Sequence, residues 1–332
     1  MRTTWSFAVL SCVLMLGCEQ RRYVQGPSAP AAPARPRLAA AGGAQSLTRV
    51  TSDPIDEVSP VVSPDGSTLL VNAITYDTNH AIAQQVLVGV NPAGASGRTL
   101  FTSEKSISRG AAWLPDSSGM VFVSNAMGNF NLVRTLSKTP NAALSVVARG
   151  DMAPDMDRTS VSPDGKFVTF EMGRNGVKYV GVSGMDGSNF TQLTEGRAPA
   201  FSPDGRRISF VRKVGSFDQI FIVNAQNGGE LTQLTNDDSD NRAPRWAPNG
   251  RYLTFASNRG WNRFAAQGGS AATTWNVYAI RIDGTQLTQL TDGPITSVQP
   301  FWAYDTFIYF SSNDAGNFDI WRLKPVGDLA IP

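Results

Sequence analysis

The chain has 332 residues with 29 Lys and Arg, 27 Asp and Glu and a formal net charge of +2, and no run of basic residues stands out. Because a nucleic-acid-binding surface needs a basic patch, this balance does not favour a nucleic acid partner. The two cysteines, Cys12 and Cys18, both lie near the N-terminus. Disulfides, thiolate zinc sites and cysteine nucleophiles are therefore excluded from the rest of the chain.

Residues 1–17 have the pattern of a lipoprotein signal peptide. Residues 5–16 form a mostly apolar run that is too short to span a bilayer as a stable helix. The run ends in Leu-Met-Leu-Gly-Cys at residues 14–18, which resembles a bacterial lipobox. The resemblance implies cleavage before Cys18 and lipid on its thiol and its new amine. The alternative is an ordinary signal peptide that contains a cysteine.

Residues 18–45 are predicted to be a lipidated cysteine followed by a tether. The stretch 25–36 is rich in Pro and Ala and has few large hydrophobic residues, so it cannot form a core. In polyproline geometry the tether would reach on the order of 80 Å. Glu19 stands where an Asp would retain a lipoprotein in the inner membrane, which favours the outer membrane.

A Ser-Pro-Asp-Gly phrase recurs along the remaining chain. Three identical copies, two close copies and one worn copy stand at 63–66, 162–165, 202–205, 114–117, 247–250 and 303–306. The prolines at 64, 115, 163, 203 and 248, with Tyr304 in the sixth slot, are 51, 48, 40, 45 and 56 residues apart. A period in this range is typical of a four-stranded β-propeller blade.

Each repeat predicts the same elements in the same order. A first strand carries Pro and a large apolar residue, and a tight Pro-Asp-Gly turn follows it. A second, alternating strand such as 207–211 comes next, and then a third strand such as 219–223. An Asp-Gly or Asn-Gly turn leads to a short fourth strand, as at 232–235.

The last repeat lacks its fourth strand, and the missing phrase stands at the other end of the chain. Residues 47–51, Leu-Thr-Arg-Val-Thr, precede the first complete repeat. We therefore predict an all-β fold, a six-bladed β-propeller of four-stranded antiparallel blades over 46–326. An N-terminal strand completes its last blade, and a C-terminal tail follows at 327–332. Such closure protects the edges of the blades.

These phrases, including Leu-Thr, Pro-x-Trp/Phe-Ser-Pro-Asp-Gly and Asp-Ile-Trp, resemble the six-bladed propeller of the TolB family over about 46–325. The same repeat occurs in the propellers of prolyl-oligopeptidase-type peptidases and of oligogalacturonate lyases. The resemblance implies a periplasmic protein-binding platform near the outer membrane. It does not extend to membership of the Tol–Pal system, since a tether replaces the α/β domain that precedes the TolB propeller and this chain has a lipobox.

Catalytic residues are not predicted, and no cofactor is expected. His80 is the only histidine, and no Gly-x-Ser-x-Gly nucleophile elbow stands in a strand-turn-helix context. The lyases rely on several histidines around a metal, which this chain lacks. Asp237, Asp238 and Asp240 are weak candidates for a calcium site, but their spacing differs from a calcium loop and a solvated turn is favoured.

Candidate partner-binding residues are predicted on the face opposite the Pro-Asp-Gly turns. We expect insertions there at 76–84 in blade one and at 259–275 in blade five, and Trp and Arg are frequent interface anchors. The alternative for Trp261 and Phe264 is that they fold back onto the blade. Four arginines that precede first strands approach the mouth of the central channel, where they either pair with nearby aspartates or bind an acidic peptide or a carboxylate. The full set is Tyr76, His80, Trp261, Arg263, Phe264, Arg109, Arg158, Arg197 and Arg242.

The favoured hypothesis is a non-enzymatic, lipid-anchored scaffold on the periplasmic side of the cell envelope. Its partner would be a periplasmic or outer-membrane protein or peptide, and the lipid on Cys18 would hold it to the membrane. One alternative is a hydrolase or lyase that uses carboxylates and a divalent metal in the central channel. Another is a site for a glycan or small ligand at the channel mouth.

Overall fold

A computed structural model of the protein describes residues 38–94, 97–151, 155–260 and 274–330. Within these ranges the fold is all β, apart from a single turn of 3₁₀-helix at Gly327–Leu329. The first two strands, β1 (Ala39–Ala40) and β2 (Ala44–Arg49), precede the blades. In the same ranges no helix has the length and apolar character needed to cross a membrane.

Six four-stranded antiparallel sheets, the blades, succeed one another along the chain. Blade one contains β3 (Asp56–Val62), β4 (Leu69–Tyr76), β5 (Ile82–Val90) and β6 (Arg98–Leu100). Blade two contains β7 (Ser108–Trp113), β8 (Met120–Ser124), β9 (Asn131–Thr135) and β10 (Ser145–Ala148). Blade three contains β11 (Asp157–Val161), β12 (Phe167–Arg174), β13 (Val177–Gly184) and β14 (Thr191–Glu195).

The second half of the chain continues the pattern. Blade four contains β15 (Arg197–Phe201), β16 (Arg207–Val214), β17 (Phe217–Asn224) and β18 (Thr232–Gln233). Blade five contains β19 (Asn241–Trp246), β20 (Tyr252–Ser257), β21 (Asn276–Arg281) and β22 (Thr288–Gln289), and β23 (Thr291–Asp292) follows it. Blade six contains β24 (Ser297–Trp302), β25 (Ile308–Ser312) and β26 (Asp319–Pro325).

Blade six is completed by β2, so the predicted closure of the ring is confirmed. β2 pairs antiparallel with β26, and the order in this sheet is β2-β26-β25-β24. Arg49 donates to the Asp319 carboxylate at 2.7 Å, which adds an ion pair to the ladder. The first strands of neighbouring blades contact one another around the whole ring, including β24 of blade six and β3 of blade one. The sheets therefore form a closed six-bladed propeller.

The folded region extends a few residues beyond the predicted bounds at each end. β1 pairs with β23, and Leu38 is buried in the apolar cluster between blades five and six. Leu329, in the predicted C-terminal tail, belongs to the same cluster. The physical reason is that each leucine buries its side chain on a neighbouring apolar surface, which composition alone does not reveal.

The core consists of one apolar cluster at each interface between neighbouring blades. Large aromatic residues near the end of first strands lie in these interfaces, as predicted: Trp113, Phe201, Trp246 and Trp302. The indole N–H of Trp113 donates to the carbonyl of Val61, and that of Trp246 donates to Ala200, each at 3.0 Å. Each indole thereby satisfies its polar atom on the preceding blade while it fills the interface.

Every first strand contains a β-bulge at the same place, five residues before the repeated proline slot. The pairing between first and second strands shifts register there in all six blades. One residue at each bulge has a positive φ between 47° and 62°: Ser59, Gly110, Arg158, Ala198, Ala243 and Gln299. A bulge bends a strand and re-aims the side chains that follow it, so this feature sets which residues line the central channel.

Gly110 tests the bulge, because a side chain is excluded there by space as well as by backbone conformation. A Cβ at Gly110 would lie 2.5 Å from the backbone nitrogen of Arg158, and φ is +62°. We expect Gly110→Ala to lower the free energy of unfolding by more than about 2 kcal/mol, measured by urea denaturation. Gly66→Ala is the matched control, since φ is +70° but nothing lies within 4 Å. A loss no larger than in this control, about 1 kcal/mol, would contradict the close packing.

Candidate functional site: the channel mouth and the two faces

The two faces of the propeller differ in what they carry. The turns after the first strands, which hold the Ser-Pro-Asp-Gly phrases, lie on one face, called the turn face. The loops after the second strands and the connections between blades lie on the opposite face, called the loop face. This division follows from the antiparallel order of the four strands in each blade.

The turn face has a cavity of about 170 Å³ at the centre of the ring, called the mouth. Residues of all six blades line it. Its rim is formed by Pro64, Pro115, Pro163, Pro203, Pro248 and Tyr304. Three positions earlier in each repeat, an inner ring is formed by Val61, Ala112, Ser160, Ala200, Arg245 and Phe301.

Arg245 is the one charged residue of this inner ring. Its Nη1 donates to the carbonyl of Pro199 on the neighbouring blade at 3.2 Å. Burial within the ring lowers the pKa of the guanidinium to about 10, and the positive charge of Arg158 acts in the same direction. The side chain is thus still protonated at neutral pH. The sequence does contain a signal for it, since the equivalent slot is uncharged in the other five repeats.

Three of the four predicted arginines are ion-paired. Arg197 and Arg242 both bind the carboxylate of Asp218, which is buried, and the Arg242 contact is 2.8 Å. Arg242 also lies over the Trp275 ring at 4.7 Å. The guanidinium of Arg109 is 3.9 Å from Asp157. Pairing with nearby carboxylates, the first of the two alternatives, therefore describes these three side chains.

Arg158 is different. It occupies a bulge with φ of 47°, and its backbone N–H donates to Asp157 at 2.8 Å. In the described ranges, its guanidinium has no hydrogen bond or ion pair. Its positive charge nevertheless lowers the pKa of Arg245 on blade five. Within the repeat, the position of Arg245 is two residues closer to the mouth than that of Arg158.

The predicted insertion at 76–84 in blade one is reduced to a five-residue turn at 77–81 between β4 and β5. β4 and β5 stay paired as far as Tyr76 and Ile82, so only a tight hairpin remains. Asp77 closes it, because its carboxylate accepts the N–H groups of Asn79 and Ala81 at 2.8 and 2.9 Å. The local hydrogen bonds of one aspartate thus make a turn where length alone predicted a loop.

The two candidate side chains of this hairpin lie on the loop face. The Tyr76 hydroxyl donates to the Asp56 carboxylate at 2.9 Å, and burial together with the Asp56 charge raises the pKa of Tyr76. His80 is exposed at the tip with φ of 60°. The prediction of a solvated loop position for His80 is therefore confirmed, and whether either side chain binds a partner stays a prediction.

The weak metal candidates are not arranged as a ligand set. Asp237 accepts a hydrogen bond from Arg259 at 2.9 Å, and Asp240 accepts the Asp218 N–H at 2.8 Å, while Asp238 is exposed. Across the described ranges, no three His, Cys, Asp or Glu side chains gather as a metal site would require.

Four predicted functional residues lie outside the described residues. They are the lipidation site Cys18 and the blade-five loop residues Trp261, Arg263 and Phe264.

Comparison of sequences finds short stretches of similarity. The chain is 26% identical over 164 residues to a TolB homolog of Chlorobium luteolum, which is 48% of this chain and 34% of the relative. It is 28% identical over 123 residues to an uncharacterized peptidase of Bacillus subtilis, YuxL, which is 35% of this chain and 17% of that protein. An uncharacterized protein of Agrobacterium fabrum, Atu1656, is 24% identical over 186 residues, with 54% and 57% coverage. The matched regions thus span 57% of the Agrobacterium fabrum protein and about a third or less of the other two relatives. It matches no protein-family model.

Solved structures share the fold over most of the chain. A protein from Agrobacterium tumefaciens assigned as TolB superposes with a TM-score of 0.61 at 19% identity, covering 84% of this chain and 97% of that one. Oligogalacturonate lyase from Vibrio parahaemolyticus gives 0.53 at 12% identity, with 86% and 94% coverage. The resemblance to the TolB-type six-bladed propeller is thereby confirmed at the level of the fold. The same fold carries enzymes, so function has to be argued from the side chains.

Asp218 offers a test of the paired arginines on the loop face. Asp218→Asn keeps the shape of the side chain but removes the charge between Arg197 and Arg242, so the two cations lose the carboxylate they share, while Arg242 keeps its 3.4 Å contact with Asp240. We expect the free energy of unfolding to fall by about 3 kcal/mol in urea denaturation. Asp238→Asn, at an exposed position in the connection between blades four and five, should change it by less than about 0.5 kcal/mol. Equal effects of the two variants would show that the pairing contributes nothing.

Proposed function

We propose that this protein is a non-enzymatic scaffold that binds a protein or peptide at the mouth on its turn face. The observation that carries the proposal is the composition of the mouth: a rim of five prolines and Tyr304 around an inner ring that contains Arg245 and Phe301. Binding hot spots are enriched in aromatic residues and arginine in a desolvated centre. The mouth brings these residue types together from different blades.

The rim is suited to hold a partner without much loss of conformational freedom. Proline has no side-chain rotamers to order and no backbone N–H to desolvate, so its burial under a partner costs little. Tyr304 is 63% exposed, which is unusual for a large aromatic side chain and leaves its ring available for contact.

We further propose that the scaffold works on the periplasmic side of the cell envelope, anchored by lipid on Cys18. The support is the lipobox-like sequence at residues 14–18 and the likeness to TolB. In the described part of the chain, strand pairing begins at Ala39, so the last residues of the predicted tether belong to the fold. The partner would then be a periplasmic or outer-membrane protein in an envelope complex.

The acidic residues and the histidine bear on the enzymatic alternative. Asp218 is engaged by two arginines and Asp157 by Arg109, while Glu57, whose pKa is raised to about 7 by burial, is fully enclosed and contacts Arg98 at 2.8 Å. The one histidine of the sequence, His80, lies on an exposed hairpin. A lyase or hydrolase at the channel would need free carboxylates or a base there, so binding is the better-supported function.

The lipid anchor predicts where the protein fractionates. Cys18→Ser removes the acceptor thiol, so we expect the variant to leave the membrane pellet and to appear in the soluble envelope fraction, by immunoblot of fractionated cells. Metabolic labelling with a fatty acid should mark the wild-type protein and not this variant. Labelling of both proteins, or an unchanged pellet, would contradict lipidation at Cys18.

The mouth predicts which substitution releases the partner. Tyr304→Ala should reduce by at least fivefold the partner recovered by crosslinking and affinity purification from cell envelopes. Leu136→Ala is the matched control, because Leu136 is 65% exposed and lies on the turn face outside the mouth. We expect this control to recover the partner as the wild-type protein does.

The loop face is tested by the same experiment. A variant with both Trp261→Ala and Arg263→Ala removes the two anchors predicted there. Loss of the partner in that variant alone, with Tyr304→Ala unaffected, would move the binding surface to the loop face and overturn the assignment to the mouth.

A further inference from the structure

Two arginines lie at and below the mouth. Arg245 lies in the inner ring, and Arg158 is two positions deeper in its own repeat, roughly 7 Å further along the strand. The negative charge of Asp157 acts on Arg245 without forming an ion pair, and this carboxylate already accepts the Arg158 N–H at 2.8 Å and lies 3.9 Å from Arg109. Of the two cations, neither has a carboxylate partner within the described ranges.

Arg245 also has hydrogen-bond donors to spare. A guanidinium has five N–H groups, and in the described residues only one bond from Arg245 is formed, to the Pro199 carbonyl. Burial of such a group is costly unless the remaining donors find acceptors. An anion that enters the mouth would supply them, and a carboxylate matches the planar fork of a guanidinium.

Ser160 adds a neutral donor at the same depth. Its hydroxyl oxygen accepts the backbone N–H of Phe201 at 3.1 Å, so the hydroxyl proton is free to point into the cavity. Ser160 and Arg245 belong to blades three and five and both line the inner ring. A single carboxylate between them would receive donors from two sides.

The size and lining of the mouth fit the end of a chain. The cavity of about 170 Å³ has room for about one residue, and its rim is apolar apart from the Tyr304 hydroxyl. An internal segment of a peptide would have to enter and leave through the same narrow opening, whereas a chain end only enters. Charge and shape therefore favour a terminal residue with an apolar side chain.

We infer that Arg245, Arg158 and Ser160 form a site for the free C-terminal carboxylate of a peptide whose last residue has an apolar side chain. The inference rests on the proposed function and specifies its ligand. The carboxylate lies against Arg245 and Ser160, Arg158 provides longer-range attraction from below, and the apolar side chain contacts Phe301 and the proline rim.

The test compares two peptides that differ only in this carboxylate. N-acetyl-Ala-Ala-Phe with a free C-terminus and the same peptide with a C-terminal amide are titrated into the purified chain by calorimetry at low salt, with benzoate as a third probe. We expect the free acid to bind at least about tenfold more tightly than the amide. Arg245→Met and Arg158→Met should each reduce this preference, and Arg245→Met should abolish it. Arg251→Met, which removes an equal charge at an exposed position, should preserve it.

Other outcomes overturn the inference in distinguishable ways. Equal binding of acid and amide would remove the carboxylate site while leaving peptide binding at the mouth intact. Binding of benzoate with neither peptide bound would replace the chain end by a small carboxylate. Absence of binding by all three probes would reject this ligand, and the envelope crosslinking experiment would still decide the proposed function.

If Arg245→Met fails to fold, Ser160→Ala gives the same comparison, with an expected two- to fivefold loss for the acid and none for the amide.

Discussion

Antiparallel pairing of β2 with β26 is the contact on which the rest of this structure depends. It joins Arg49 to Asp319 across 270 residues of chain, so it closes a very long loop. Such closure has an entropic cost that local contacts do not repay by themselves. It is offset by the six interfaces between blades, which are complete only in a closed ring. The mouth exists for the same reason, because it is lined by residues of all six blades.

The repeated bulge in the first strands explains how the same six strands supply side chains both to the core and to the mouth. After the bulge, neighbouring positions of each first strand point in opposite directions, as in any strand. Trp246 therefore enters the interface with the preceding blade, and Arg245 beside it lines the mouth. Trp302 is likewise buried in the core, although it also lines the mouth beside the more exposed Phe301. A residue in the inner-ring slot can thus change the chemistry of the mouth without a change in the core.

Charge is distributed unevenly between the two faces. On the loop face, arginines and carboxylates neutralise each other, as Asp218 does between Arg197 and Arg242. In the channel, Arg245 and Arg158 lack such partners among the described residues. A paired network mainly stabilises the fold, whereas a half-buried cation without an ion pair has a free energy that a ligand can lower. This contrast, more than the likeness to any solved propeller, is what favours recognition of an anionic group at the mouth.

The sequence by itself determined the number of blades, their strand order and the closing strand. These features depend on short-range patterns: a turn whose Pro, Asp and Gly satisfy their own backbone, and alternating strands at a regular spacing. Only the tertiary structure decided that Arg197 and Arg242 share Asp218, that Asp77 shortens the blade-one hairpin, and that Leu38 joins the core. It also decided the role of Arg245, which is an ordinary strand residue in one repeat. Its neighbours Pro199 and Arg158 belong to blades four and three, and no local pattern in a chain encodes what distant repeats bring to the same axis.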